Sequence, residues 1–290
     1  MTSTAPEIER VDDVRQPGRR RRRLLVGTCV LAVLVGWQGS MRIPAGADSG
    51  IALNHAAANR PAAPLPTNRI RLGTYNIHSS RGLDGRSDIG RIAANLHRLD
   101  FVGLNEVRGC GWFGQPDQAE QLGRQLDADW LFAPTEWRWW HDDFGNGVIS
   151  RLDTTSWQRI PLPHRNSRSC RNVVLVSAQL RGRPLNLLVA HVERDNPQAA
   201  VSQLQAVVDL FLSLAPPAVL LGDLNAVRDE PQLRRLLATP GVADPLARLP
   251  HPESRIDWIV TRGLETTDCG FAPRGPSDHP HFWVECRLVD

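Results

Sequence analysis

Eight polar residues carry the chemistry this sequence is able to do. Asn76 follows Gly73-Thr74-Tyr75, Glu106 lies just past Val102-Gly103-Leu104, His191 follows Leu188-Val189-Ala190, and Asp223 follows Leu220-Leu221-Gly222. Each stands where an apolar, strand-like run ends, the place where a rigid sheet hands a side chain to loops. One such residue reads as a cap or turn former. Four of them, joined by Asn225, Asp257, Asp278 and His279, exceed what turn chemistry explains. Asn76, Glu106 and Asp278, with Asp223 beside them, form an oxygen-rich set suited to a hard divalent cation such as Mg2+, with Mn2+ as the alternative. His191 and His279 supply donors for phosphate oxygens or a proton for a leaving oxygen. Asp223 and Asn225, two apart, point the same way from an extended segment and suit the holding and activation of a water.

The elements that must position these residues alternate between strand and helix. Strands are expected at 69–77, 101–104, 130–133, 147–150, 173–180, 185–190, 218–221, 256–260 and 281–288, and helices at 88–99, 117–126, 198–212 and about 230–238. Residues 101–104 should end abruptly at Asn105-Glu106, and Arg181-Gly182-Arg183-Pro184 should close a hairpin. In the helix at 198–212, Val201, Leu204, Val208 and Phe211 share a face. The run 218–221 is apolar throughout, as a strand covered on both faces requires. No period repeats. The fold class is α/β, with buried strands delivering polar residues at their ends.

Five boxes then combine into a resemblance. Gly73-Thr74-Tyr75-Asn76-Ile77-His78, Gly103-Leu104-Asn105-Glu106-Val107, Gly222-Asp223-Leu224-Asn225-Ala226, Arg255-Ile256-Asp257-Trp258-Ile259 and Ser277-Asp278-His279 together resemble the endonuclease/exonuclease/phosphatase superfamily, with its DNase-I-like fold. Each box alone is weak; five in the family's order over residues 70–283 are strong. The resemblance implies a four-layer α/β sandwich of two packed mixed sheets with helices outside. It implies Glu106 as principal metal ligand assisted by Asn76 and Asp278, and Asp223 orienting or activating water. Asn225 would hold phosphate or water, His279 oriented by Asp257 would face the scissile phosphate, and His191 would contact it from another side. Two departures stand out. The box usually reading Thr-His-Leu is Ala190-His191-Val192, and the Pro-rich segment between Asp244 and Arg255 is short. Asn146 matches a family pattern without an assigned role.

The implied activity is hydrolysis of phosphodiester or phosphomonoester bonds. Nucleases, phosphoinositide phosphatases and lipid phosphodiesterases share the fold, so the fold does not choose a substrate. Charge narrows the choice. The 34 basic residues, all Arg, face 31 acidic ones, and the first 50 residues hold 8 and 5 of these, leaving 26 of each in the rest. A formally neutral domain lacks the basic footprint of sequence-independent nucleic-acid binding, although a local patch can hide within a zero sum. This favours lipid-derived or small organophosphate substrates, with an extracytoplasmic nuclease and a catalytically silent phospholigand-binding module as alternatives. Trp137-Arg138-Trp139-Trp140-His141 could stack bases, touch a lipid interface, or pack into a core.

The N-terminus reads as targeting. Arg19 to Arg23 precede the apolar stretch from Leu24 to Trp37. Extended to Met41, the segment makes a helix of about 27 Å against a bilayer core of about 30 Å. The expected division is a cytoplasmic basic tail over 1–23, a transmembrane anchor (or cleaved signal) over 24–41, a flexible linker over 42–67 and a catalytic domain over 68–290. By the positive-inside rule that domain, expected to be monomeric, lies outside the cytoplasm. In an oxidising compartment Cys110 with Cys170 and Cys269 with Cys286 are the expected disulfides, four buried thiols being the alternative.

Overall fold

The computed structural model describes residues 26–36, 42–55, 69–111, 114–138, 143–164, 169–250 and 252–289. Two units divide the chain, 1–41 and 42–290. In the first, residues 26–36 form helix α1, with Val26, Val30, Leu31, Val33 and Leu34 exposed. Among the described residues no helix is long and apolar enough to cross a membrane. The basic tail and the remainder of the expected anchor lie outside the described residues.

The second unit is two stacked seven-stranded sheets. The first contains β1 (Arg42–Pro44), β3 (Arg69–Asn76), β4 (Phe101–Arg108), β5 (Asp129–Arg138), β6 (Phe144–Ser150), β13 (Leu264–Ala272) and β14 (His281–Leu288), in the order β1-β5-β6-β4-β3-β14-β13. The second contains β2 (Asp48–Gly50), β7 (Asp153–Pro161), β8 (Asn172–Leu180), β9 (Arg183–His191), β10 (Ala218–Asp223), β11 (Val242–Ala243) and β12 (Asp257–Arg262), in the order β11-β12-β10-β9-β8-β7-β2. Among the described residues only β3–β4 and β9–β10 run parallel, so both sheets are mixed. Ile70, Leu72 and Phe101 of one sheet meet Val174, Leu187, Val189, Val219 and Leu221 of the other in an interior that excludes water.

Helices complete four layers. α2 (Ile89–Leu96) and α3 (Gln118–Leu126) cover the first sheet through Ile92, Leu96 and Leu122. α4 (Pro197–Ser213) and α5 (Pro231–Leu237) cover the second through Leu204, Val208, Phe211 and Leu233. Alternation along β10 explains its wholly apolar run: Val219 and Leu221 enter the space between the sheets while Leu220 faces the helices. The helices start at side-chain caps. Asp88 accepts from the Gly90 and Arg91 amides, Asp117 from Glu120 and Asn196 from Ala199, each cap being worth about 1 kcal/mol. Arg181 and Gly182, with φ of 56° and 76°, close the β8–β9 hairpin.

Four expectations need correction. The expected linker is not free chain over 42–50, because β1 adds to the edge of β5 and β2 to the edge of β7, and the second compact unit therefore begins at Arg42. β4 does not stop at Leu104; it continues to Arg108 through an irregularity between Leu104 and Val107. Val201 is 52% exposed, on the margin of the stripe that buries Leu204 and Phe211. No disulfide forms among the described residues: Cys110 is exposed and Cys170 buried, and neither is bridged. On β13 and β14, a register shift puts Thr266 opposite Cys286 and Val284 opposite Cys269, so the two thiols are offset.

Candidate active site

Strand register builds the site. Asp223, the last residue of β10, lies directly opposite His191 on β9 and opposite Asp257 on β12. Three residues far apart in sequence thus form one cross-strand row, each no more than 2% exposed. In the other sheet Asn76 lies opposite Asn105, and Glu106 follows at φ 56° inside the β4 irregularity. A bulge of this kind re-aims a side chain, and this one delivers Glu106 to Asn76. Gly222 permits the approach of β9 and β10: its φ is 139°, and a Cβ there would come within 1.9 Å of the Ala190 carbonyl oxygen.

Amides stitch the two rows together. Asn76 Nδ2 donates to Glu106 Oε1 at 3.1 Å and to Asp223 Oδ2 at 3.0 Å. Asn105 Oδ1 accepts from the Asp223 amide at 2.9 Å, while its Nδ2 donates to Ala190 O and to Asn146 Oδ1. Asn146 Nδ2 in turn donates to the backbone carbonyl and the Oδ1 of Asn172, and Asn172 Nδ2 donates to Pro134 O. Left unpaired in this interior, each amide would cost about 1–3 kcal/mol, so the chain holds the sheets in one register.

The titrating groups are pushed apart by their surroundings. Burial and the neighbouring Asp257 charge raise the Asp223 carboxyl to about 7. Burial also raises Asp257, against the pull of its hydrogen bond with His279. Burial alone would lower His279, but its Nδ1 sits 2.8 Å from Asp257 Oδ2, and the charges of Asp257, Asp223 and Asp278 hold it up at about 9. His191 goes well down instead, through burial first and then through the cationic Arg171 and His279. His279 Nε2 lies 3.8 Å and His191 Nε2 3.7 Å from Asp223 Oδ2, so both imidazoles converge on one carboxylate.

Ligand atoms of Asp223, Asp257 and His279 lie within 4.8 Å of one another, a group able to take a metal ion. His279 Nδ1 is committed to Asp257, which makes this group a proton-handling set first. The fit to a cation is still good. Asp257 Oδ1 is buried without a hydrogen-bond partner, and the Asn76 amide bridges two carboxylates whose shared face needs positive charge. Asp278 lies at the rim of this centre: it is about half exposed, with Oδ1 3.5 Å from His78 Nδ1 and 3.3 Å from the Ser277 Oγ that bonds Asn76 O. Asn225, at φ 46°, donates its amide to Val192 O and its backbone N–H to Asp223 Oδ1.

With the geometry in place, comparison supplies the family. The model of the endonuclease/exonuclease/phosphatase family matches residues 73–279. The chain belongs to that family. No curated protein matches it significantly. Among solved structures it resembles an endonuclease/exonuclease/phosphatase from Beutenbergia cavernae, with 24% identity, TM-score 0.61, and coverage of 76% of this chain and 72% of that one. It also resembles Danio rerio TDP2 complexed with single-strand DNA product, with 15% identity, TM-score 0.58, and coverage of 76% and 99%. The human Nocturnin catalytic domain with bound sulfate shares 13% identity at TM-score 0.58, covering 84% of this chain and 98% of that one. Identities this low establish the DNase-I-like fold. Family membership makes the chain a phosphoesterase or nuclease hydrolase.

Four partners of the site were not assigned a role from sequence. Asn105 and Ser277 were visible only as members of their boxes; Ser277 Oγ donates to Asn76 O and receives the His279 amide. Arg171 and Asn172 belong to no box and sit at the start of β8. In the aromatic run Trp137 is exposed and pairs with Ile43 on the edge of the first sheet, whereas Trp139, Trp140 and His141 lie outside the described residues.

Proposed function

We propose that this protein is a Mg2+-dependent phosphoesterase acting as a monomer on lipid-derived or small organophosphate esters. The observation carrying this reading is the buried His191–Asp223–Asp257 row, with His279 bonded to Asp257 and the Asn76–Glu106 pair facing Asp223. Asp223, poised near 7, takes the proton of the attacking water, which Asn225 helps to hold. His279, charged below about 9, donates to the phosphate and protonates the departing oxygen. Its Nε2 lies 3.8 Å from Asp223, beyond direct hydrogen-bond range, so return of the proton between them requires a bridging water or substrate oxygen. Glu106, Asn76 and Asp278 are the residues proposed to hold Mg2+, which when bound polarises the phosphoryl group.

A cavity of about 200 Å³ beside Asp257 supports a modest leaving group. Leu249, Phe271 and Phe282 give it apolar walls, and Arg255 and Arg274 give it positive charge. The neutral charge balance of residues 51–290 points the same way. An extracytoplasmic nuclease is the second reading, favoured by the likeness to the DNA-complexed TDP2 structure. The arginine run before α1 supports a membrane anchor with the catalytic unit outside the cytoplasm.

The test is hydrolysis of bis-p-nitrophenyl phosphate, p-nitrophenyl phosphate, sphingomyelin and plasmid DNA by the full chain, with EDTA or Mg2+. Mg2+-dependent turnover that falls together with metal response in Glu106→Gln is expected. Cleavage of DNA alone would select the nuclease, and Mg2+-independent turnover would remove the metal assignment. Protease protection in membrane vesicles tests the topology, with residues after Met41 expected on the non-cytoplasmic side.

A further inference from the structure

Arg171 has no role in the mechanism above, yet it touches His191. Its Nη1 lies 3.3 Å from His191 Nδ1. A guanidinium has only donors, so in this contact Nδ1 must be the acceptor. A neutral imidazole that accepts at Nδ1 carries its proton at Nε2. His191 is 2% exposed, which leaves little water to offer Nδ1 another partner. The remaining ring nitrogen then faces the site as N–H, 3.7 Å from Asp223 Oδ2 and beyond hydrogen-bond range of it.

The guanidinium is itself held. Arg171 Cζ lies 5.9 Å and Arg108 Cζ 5.4 Å from the Phe144 ring centroid, two cation–π contacts on one ring, and Arg171 Nε is buried without a hydrogen-bond partner. Arg108 Nε is tied to Ser79 Oγ, and the neighbouring Asn172 is pinned by Asn146 and Pro134. Phe144 also lies against His191, with ring centroids 6.4 Å apart.

We infer that Arg171 is a positioning residue that locks His191 as the neutral Nε2–H tautomer, so that His191 meets substrate only as a hydrogen-bond donor. Water activation is thereby left to Asp223. What the Nε2–H meets rests on the phosphoester reading; the tautomer does not, and is measurable without substrate.

The experiment is a long-range 1H–15N spectrum of the full chain labelled at histidine, without metal or substrate, with His191 assigned by its loss in His191→Gln. The expected signature is unprotonated-type nitrogen at Nδ1 and protonated-type at Nε2. Arg171→Met, which removes every donor, should disperse that signature into mixed tautomers, and Arg171→Gln, which restores one neutral donor, should recover it. In parallel, kcat for bis-p-nitrophenyl phosphate should fall about tenfold in Arg171→Met with KM held within about twofold, the size of one misaligned donor. A wild-type His191 protonated at Nδ1 overturns the inference whether or not the variants fold. So does an unchanged Nε2–H signature in a folded Arg171→Met. If the chain hydrolyses none of the esters, the phosphoester reading falls while the spectrum still decides the tautomer.

Discussion

Two histidines separated by a single residue occupy opposite electrostatic worlds. His279, at the site edge, is held charged up to about 9, while His281, on the outer face of the first sheet, is pushed down to about 4. Both are largely buried. His281 lines a cavity of about 230 Å³ with Arg71, Asn95, Arg98, Leu99 and Trp283, and its Nε2 has no hydrogen-bond partner. Burial is the cause of its fall; at His279 the same burial is outweighed by a carboxylate at 2.8 Å. Burial alone therefore makes a silent imidazole. An imidazolium suited to donating protons needs a buried anion beside it, and that anion destabilises the fold unless something positive compensates.

Asp257→Asn should break the contrast most severely. With its partner neutral, His279 should lose its raised affinity for protons, and kcat should drop about 10³-fold, within the range for a misplaced general acid. NMR titration of His279 beside steady-state kinetics checks both; a titration still near 9 would show that Asp257 is not the cause. The pH profile comes next in size. kcat/KM of the wild type should rise as Asp223 ionises near 7 and fall as His279 loses its proton near 9, the limbs reporting the coupled set. A flat response between pH 6 and 8 would remove Asp223 as the base.

Stability sharpens the comparison from the other side. Asp223 and Asp257 bind protons more tightly in the folded state than unfolded, so their contribution is present below the usual carboxylate range and is lost as pH rises toward 7. A divalent ion answers that loss only where the carboxylates are ionised. Added Mg2+ near Asp223 should therefore raise Tm more at pH 8 than at pH 5, and an equal rise at both would show that the bound ion does not sense the ionisation of Asp223 and Asp257. The smallest effect belongs to His281→Leu. Removing an unpartnered buried nitrogen should leave stability unchanged or raise it by about 1 kcal/mol by chemical denaturation, with kcat within about twofold of wild type.

The layers were readable because periodicity and caps agree. The stripe Ile92 and Leu96 with its Asp88 cap marks α2, and the unbroken apolar run of β10 marks a strand covered on both sides. β1 and β2 were not readable: Arg42-Ile43-Pro44 and Asp48-Ser49-Gly50 show no alternation and become strands only where β5 and β7 offer open edges. β7 alternates little in polarity and is recognised by its pairing with β8. At the site, residue types named the candidates, but the row joining His191, Asp223 and Asp257 depends on the parallel and antiparallel neighbours of β10. Local sequence does not encode that register. Nor does it show the left-handed backbone that turns Glu106 toward Asn76, or the contact of Arg171 with His191.

The linkage through Asn105, Asn146 and Asn172 has a consequence for robustness. Its members are amides, which neither gain nor lose protons across the physiological range and are little screened by salt. The titrating groups at the strand ends can change state with every turnover while the amide links between the sheets carry no charge of their own to change. The molecule thereby separates alignment from reactivity, and an acid environment that protonates Asp223 need not disturb the frame to which activity returns.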